Sequence, residues 1–334
     1  MNNRFSLNLK TYTQYREELM GIAAIMIIVC HIVGNNVLLP SFVSKVLTLG
    51  NYGVDVFFFI SGLGLYFSLE KNTSSILAWY RKRYIRIFVP YLIATSFYCM
   101  IRICMRDFSL LDTLLSLTTL DFWLYHRGAW YISAIVPLYF LTPFVSKFIE
   151  SRTYKLLWSI MIILMLIMLS KAKIPSNEIL TNIQFVLRRV PMFVLGYYMA
   201  RHVKEGMVVS LHNVMIVAVC SIMLYVFLNI YTALSIPIIL MLGYFVCWVN
   251  RISAIDKVFC FMGGLSLESY LTNIYLPDLL RYVHLGALEY GNYLKYILVV
   301  LLGIPLAYCI NRISANLVNR IAIRNRMLKS GNYC

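Results

Sequence analysis

The sequence predicts an all-α polytopic membrane helical bundle with about ten transmembrane helices. Of its 334 residues, 60% are hydrophobic and only 13% are charged, and the mean hydropathy is +0.74. Soluble domains carry about 25% charged residues, so this chain has too few charges to cover a water-soluble surface. Its apolar runs are long and continuous, which is typical of helical spans rather than of the short alternating strands of a membrane barrel.

The apolar runs define ten candidate spans. A bilayer core needs about 20 helical residues, and most of the runs reach or approach that length. Segment 109–124 is a candidate re-entrant helix. We divide the chain into an N-terminal segment (1–18), a transmembrane domain (19–312) and a basic tail (313–334). The ten spans lie near 19–39, 51–69, 84–104, 129–147, 156–171, 184–201, 212–230, 233–249, 257–280 and 292–312.

The net charge of +16 comes from 30 basic and 14 acidic residues. In a soluble protein a positive charge of this size suggests nucleic-acid binding. Here the Lys and Arg residues cluster between the spans, so the positive-inside rule explains them and we predict no nucleic-acid partner. About two thirds of them fall on the side of the N-terminus. This bias predicts a multi-pass protein of the plasma or inner membrane with both termini in the cytoplasm.

Three ionisable residues, His31, Asp55 and Glu268, lie inside predicted spans, where such residues are usually functional or tightly paired. His31 lies about twelve residues into the first span, roughly 18 Å deep. It is either hydrogen-bonded to a neighbouring helix or a general base that accepts a hydroxyl proton. Asp55 opens the second span, and we expect it near the depth of His31. There it either orients the imidazole or is an acid favoured at a helix N-terminus.

Further polar and aromatic residues lie at span ends. Arg83 and Arg86, at the cytoplasmic end of the third span, either bind the phosphates of a cytosolic cofactor or only set topology. Arg189, together with Arg188, lies near the start of the sixth span and would extend to the outer interface. Trp130 and Tyr139 lie in the fourth span, and Trp130 alternatively belongs to an interfacial aromatic belt. The remaining histidines lack carboxylates or cysteines at metal-ligand spacing, so we predict no metal site.

Several sequence blocks resemble, in their order, those of the acyltransferase-3 family of bacterial integral membrane acyltransferases. The resemblance runs from about residue 15 to residue 312. The blocks are the first-span segment ending at His31, GVDVFFFISG, RKRYIRIFVPY, WYISAIVPLYFLTP and RRVPMFVLG, with GGLSLESYL as a looser match. Each block is weak alone, but the ordered set is fairly specific.

The resemblance implies ten spans and the transfer of an acyl group, usually acetyl from cytosolic acetyl-CoA, to a hydroxyl of an envelope sugar. It implies His31 as the catalytic histidine and Arg83 and Arg86 as the donor-binding pair. We expect Asp55 to assist His31. The expected partners are the lipid bilayer, acyl-CoA and a polysaccharide or lipid-linked sugar acceptor, with acetyl-CoA as donor substrate and no bound cofactor. Trp130, Tyr139, Arg189 and Glu268 are expected on the acceptor side or in structural roles.

Two positions depart from the family pattern. Met20 stands eleven residues before His31, where the family usually has an arginine, and Asn273 stands where the late block often has a histidine. Because methionine cannot donate a charged hydrogen bond, either another arginine supplies that contact or activity is weakened or lost. Two alternatives to an active enzyme therefore stay open: a transporter or flippase for a lipid-linked sugar, and a catalytically silent member of the same fold.

Overall fold

The computed structural model describes residues 6–34, 37–72, 75–173, 177–284 and 291–330, with side chains to residue 323. The described residues are almost entirely helical, which confirms the predicted all-α class. The helices are α1 (Thr11–Gln14), α2 (Arg16–Gly34), α3 (Ser41–Thr48), α4 (Tyr52–Glu70), α5 (Ile76–Cys104), α6 (Leu110–Leu117), α7 (Leu120–Tyr125), α8 (Trp130–Glu150), α9 (Lys155–Lys171), α10 (Glu178–Leu187), α11 (Val190–Glu205), α12 (Leu211–Leu228), α13 (Ser235–Val249), α14 (Ser253–Gly264), α15 (Ser266–Leu279) and α16 (Gly291–Ser330).

Within the described residues, eight helical stretches are long and apolar enough to cross a membrane. This finding agrees with the predicted polytopic bundle. The stretches are Arg16–Gly34, Ser41–Glu70, Ile76–Cys104, Trp130–Glu150, Glu178–Glu205, Leu211–Leu228, Tyr231–Val249 and Gly291–Ile323.

The other two predicted spans take different forms. Segment 156–171 forms α9, which has 17 residues. Segment 257–280 is divided at Leu265 into α14 and α15, next to Gly263 and Gly264, which disfavour a continuous helix. The candidate re-entrant segment forms the short helices α6 and α7, and Thr119 between them has a left-handed backbone (φ 65°). Helix α16 continues to Ser330, so the predicted tail begins as an extension of the last span.

The chain divides into two compact units, here called unit 1 and unit 2. Unit 1 comprises the described residues of Met1–Gly34, Leu38–Asn72 and Phe140–Ser266, and unit 2 comprises those of Asn35–Val37, Thr73–Tyr139 and Leu267–Cys334.

Glycines let helix backbones touch in unit 1. A Cβ atom on Gly62 of α4 would collide with the carbonyl oxygen of Phe193 in α11, and one on Gly196 would collide with that of Phe59. The two helices therefore pack backbone to backbone, as membrane helices do at small residues.

Helices α2 and α14 meet in the same way in unit 1. A Cβ atom on Gly21 would collide with the carbonyl oxygen of Phe259, and one on Gly263 with that of Glu17. The segment before α2 is held by the strand pair β1 (Ser6–Asn8) and β2 (Val208–Ser210), which is antiparallel. These contacts fix the start of the helix that carries His31.

In unit 2, polar side chains join α5 and α15. The Thr95 and Tyr275 hydroxyls are hydrogen-bonded at 2.8 Å, and the Tyr98 hydroxyl donates to Asp278 at 2.5 Å. The second contact lies three residues farther along the chain than the first in both helices, so α5 and α15 run parallel. Arg102 ends the series with ion pairs to Asp278 (3.1 Å) and Asp107 (2.7 Å).

Candidate functional site

His31 lies half-buried near the end of α2. The 3₁₀ helix Leu49–Asn51 packs beside this end of the helix, and the start of α4 packs farther back along it. A Cβ atom on Gly50 would meet the Met26 carbonyl and Cys30, whereas one on Gly53 would meet the Ala23 carbonyl at 2.5 Å. Residues farther along α4 therefore contact residues of α2 that lie closer to the N-terminus of α2. Asp55 consequently lies about two helical turns, roughly 11 Å, from the level of His31.

The expectation that Asp55 lies near the depth of His31 is therefore wrong. The physical reason is that the 3₁₀ helix Leu49–Asn51 already runs beside the end of α2 before α4 begins. The span was predicted to start at residue 51, but the chain reaches the level of His31 several residues earlier.

Asp55 is fully buried and is held by two hydrogen bonds. Its Oδ2 accepts from Nη1 of Arg189 at 2.8 Å and from the Ser235 hydroxyl at 2.6 Å. Its Oδ1 is buried and has no hydrogen-bond partner among the described residues. The hydrogen bonds of the carboxylate thus go to Arg189, which immediately precedes α11, and to the first residue of α13 rather than to the imidazole. Catalytic roles for His31 and Asp55 stay predictions.

Arg189 is buried (6% exposed) instead of extending to the interface. Its Cζ lies 4.9 Å from the ring centroid of Tyr231, which stacks on Tyr52 with centroids 4.7 Å apart. The guanidinium is thus enclosed by a carboxylate and an aromatic pair. A buried carboxylate partner explains why Arg189 turns inward, because pairing compensates for the loss of hydration.

Sequence reasoning missed Ser235, Tyr52 and Tyr231 in this cluster. Serine and tyrosine are common in apolar spans and at their ends, and no spacing in the sequence distinguishes these three residues. They meet Asp55 and Arg189 only because α4, α11 and the 3₁₀ helix Tyr231–Leu234 pack together.

The predicted donor-binding pair lies on α5 in unit 2. Arg83 is half-buried and Arg86 is exposed. Between them, the Tyr84 hydroxyl donates to the Val136 carbonyl at 3.0 Å, which ties this stretch of α5 to α8. Since Arg83 and Arg86 are three residues apart, they share a face of the helix. The pair therefore has the spacing to grip one anionic group together.

Glu268, at the start of α15, is also in unit 2. It is 6% exposed, and its Oε1 accepts a hydrogen bond from the Asn311 side chain at 3.1 Å. The charge of Arg86 acts on it as well. Arg86, a predicted donor-binding residue, therefore lies within electrostatic range of Glu268, but no direct bond joins the two side chains among the described residues. Asn311 was not anticipated, since it lies at the end of the last span.

The remaining candidates, Trp130, Tyr139 and Met20, are half-buried and take part in neither group of residues described above. Trp130 is half-buried at the first residue of α8, and its ring centroid lies 6.4 Å from that of Phe122. Tyr139 is half-buried farther along α8 and neighbours Tyr84. Met20 is half-buried in α2.

Comparison with models of protein families found a match to one family. The model of the acyltransferase-3 family, described as an acyltransferase domain, matches residues 19–312. The match includes every residue considered above as a candidate for catalysis or substrate binding. Comparison with curated proteins found no match, and comparison with solved structures found none.

Proposed function

The chain belongs to the acyltransferase-3 family, and we propose that it is an O-acetyltransferase acting on carbohydrate. It would transfer acetyl from cytosolic acetyl-CoA to a sugar hydroxyl of an envelope or exported polysaccharide, or of its lipid-linked precursor. The observation that carries the proposal is the family match over most of the chain. It supports acyl transfer by a membrane protein, and the acetyl donor and sugar acceptor follow from the family resemblance.

We assign His31 as the general base. A neutral imidazole accepts the proton of the sugar hydroxyl as its oxygen attacks the thioester carbonyl. The carbon–sulfur bond breaks, coenzyme A leaves as a thiolate, and the imidazolium returns the proton to that sulfur. The position of His31 on α2, in a span and half-buried, supports this role because an imidazole there is shielded from bulk water.

Asp55 takes a positioning role in this proposal. Its bonds to Arg189 and Ser235 hold the start of α4 against α11 and α13. The 3₁₀ helix Leu49–Asn51 and the start of α4 in turn pack on α2 through Gly50 and Gly53. The ion pair would therefore act on His31 through the packing of α2 rather than by direct contact.

Arg83 and Arg86 would bind the phosphates of the donor. Arginine suits this task because its planar guanidinium presents paired donors to phosphate oxygens. The Tyr84 bond to α8 supports the proposal by holding the segment between them in place. The excess of cationic residues near this end of α5 and near both termini supports the proposal that all three lie on the cytoplasmic side of the inner membrane.

Acetyl transfer is tested with radiolabelled acetyl-CoA and membranes from cells with and without the gene. We expect label in an envelope polysaccharide or lipid-linked sugar only when the gene is present. Equal labelling in both membranes would overturn the proposal. Sugar translocation without acetylation would favour the transporter alternative.

A second candidate function, a catalytically silent member of the fold, is favoured by Met20. If an arginine at this position is needed for catalysis, Met20→Arg should increase acetyl transfer, whereas Met20→Leu should not. Labelled transfer in membranes with matched protein levels measures both. Wild-type activity that Met20→Arg leaves unchanged would show that another group already supplies the contact.

A further inference from the structure

Three potential metal ligands converge where α2 meets α14. They are Glu18 of α2 and Asp256 and Cys260 of α14, and one ligand atom from each lies within 4.8 Å of the others. Asp256 and Cys260 are four residues apart, so they project from one face of α14. The close packing of the two helices at Gly21 and Gly263 brings Glu18 to that face.

The charges of this cluster are not balanced. Glu18 is more than nine-tenths buried (8% exposed), yet in the described part of the chain it forms no ion pair. The Cys260 thiol, which belongs to the same cluster, lies within 4.8 Å of a Glu18 carboxylate oxygen. The Oδ1 atom of Asp256 is buried and has no hydrogen-bond partner among the described residues.

Buried carboxylates normally pair with a cation, accept hydrogen bonds or bind a metal. Here a second carboxylate and a thiol face Glu18, and Glu17 adds a further negative charge acting on Cys260. The acidic groups repel each other when ionised. A bound cation would satisfy all of them at once.

We propose that Glu18, Asp256 and Cys260 form a binding site for a divalent cation of borderline softness, with Zn²⁺ as the best fit. Two carboxylate oxygens and one thiolate suit Zn²⁺, which binds oxygen at about 2.0–2.2 Å and sulfur at about 2.3 Å. Ligands at those distances in a tetrahedral site lie about 3.3–3.8 Å apart, so the three side chains need to close by about 1 Å. Water would complete the coordination.

Binding displaces the Cys260 thiol proton to solvent, since the thiolate is the ligand. The ion would then clamp α2 to α14 within unit 1. This proposal departs from the sequence prediction of no metal site, which considered the local spacing of the cysteines and histidines. It also stands apart from acetyl transfer, because it concerns metal binding and the stability of unit 1.

Metal binding by the full-length chain, purified in detergent under reducing conditions, tests the proposal. After treatment with a chelator and gel filtration, we expect Zn²⁺ to rebind and to raise the thermal midpoint. Cys260→Ser and Asp256→Asn should each weaken binding by at least the ~10-fold that changes around metal ligands commonly cost. Cys104→Ser, which changes an exposed cysteine at the end of α5, is the matched control and should bind like the wild type.

Co²⁺ gives a second readout that needs no variant. A thiolate ligand produces a sulfur-to-cobalt charge-transfer absorption, which we expect in the wild type and in Cys104→Ser but not in Cys260→Ser. The proposal is overturned if the wild type takes up neither Zn²⁺ nor Co²⁺, or if Cys260→Ser binds both as well as the control. It is also overturned if Glu18→Gln stabilises the chain while Zn²⁺ does not, because a shared proton would then explain the cluster.

Discussion

In unit 1, Asp55 and Arg189 are both buried and bind each other at 2.8 Å, whereas in unit 2 Arg83 is half-buried and Arg86 is exposed. From sequence the two sets look alike, since each places charge at the end of a predicted span. The two sets differ in burial and in their bonding partners. The first set is buried and its two charges pair with each other, whereas the second set is more exposed and is proposed to bind the donor. Removing a charge from the Asp55–Arg189 pair should therefore destabilise unit 1, whereas removing one from Arg83 or Arg86 should weaken ligand binding in unit 2.

The largest effect is expected from breaking the buried pair. Arg189→Ala leaves Asp55 charged and buried without its partner, which typically costs about 3–5 kcal/mol of unfolding free energy. Thermal unfolding of the purified protein in detergent measures the loss. Arg188→Ala is the matched control, because Arg188 is the exposed neighbour and should change stability little.

Replacing both partners sharpens the same test. The double variant Asp55→Asn/Arg189→Gln removes both charges, so it should recover much of the stability lost in the single variants. Equal stability of Arg189→Ala and Arg188→Ala would contradict the structural role of the pair.

The proposed donor-binding pair, Arg83 and Arg86, should show the opposite behaviour: loss of charge should weaken ligand binding rather than stability. A hydrogen bond to a charged group contributes about 1.5–3 kcal/mol, so Arg83→Gln and Arg86→Gln should each weaken acetyl-CoA binding by about 10- to 100-fold. Arg→Lys should restore binding only partly, because lysine lacks the planar fork. Calorimetric titration with acetyl-CoA measures affinity, and Lys82→Gln is the control from the same stretch.

Membrane insertion of these variants should stay normal, because Arg81, Lys82 and Lys71 remain to set topology. If both Gln variants bind acetyl-CoA normally but insert wrongly, the arginines are topology signals and their assignment to the donor fails.

A smaller effect is expected at Asp112, where unit 2 carries another partly exposed charge. Hydrogen bonds from Ser109, followed by Arg127, hold the pKa of the Asp112 carboxyl below its usual range. A lowered pKa means that the ionised form stabilises the folded protein above the unfolded pKa of about 3.9, and that this stability is lost as pH falls through the folded value.

Asp112→Asn should therefore lower the free energy of unfolding at neutral pH by less than about 1 kcal/mol. The thermal midpoint should fall slightly as a result. The difference from wild type should shrink as the pH falls below about 4. A difference that is constant with pH would mean that the capping geometry, and not the charge, stabilises this turn.

The membrane class was predictable from sequence because hydropathy is a local property summed over about 20 residues. Eight of the ten predicted spans coincide with apolar helical stretches of sufficient length in the described residues. The division of segment 257–280 at Leu265 was not anticipated. A hydropathy pattern records how apolar a segment is, but it does not show where two adjacent glycines end a helix.

The candidate site was less predictable, because its contacts join distant parts of the chain. Asp55 and Arg189 are separated by 134 residues, and Asp55 and Ser235 by 180. Each residue could be singled out as polar within an apolar region, yet nothing local indicates which helices will be neighbours. For the same reason the sequence did not predict that Glu18 lies close to Cys260 or that Asn311 bonds to Glu268.

The most direct test of the proposed function is the rate of acetyl transfer by His31→Ala, measured in one turnover with labelled acetyl-CoA and acceptor-containing membranes. Loss of a general base should slow transfer by about 10²- to 10⁴-fold, while acetyl-CoA binding and membrane insertion stay normal. His126→Ala, which changes an exposed histidine outside the predicted spans, should transfer at the wild-type rate. A correctly inserted His31→Ala protein that transfers acetyl at near the wild-type rate would contradict the assignment of His31 as the base.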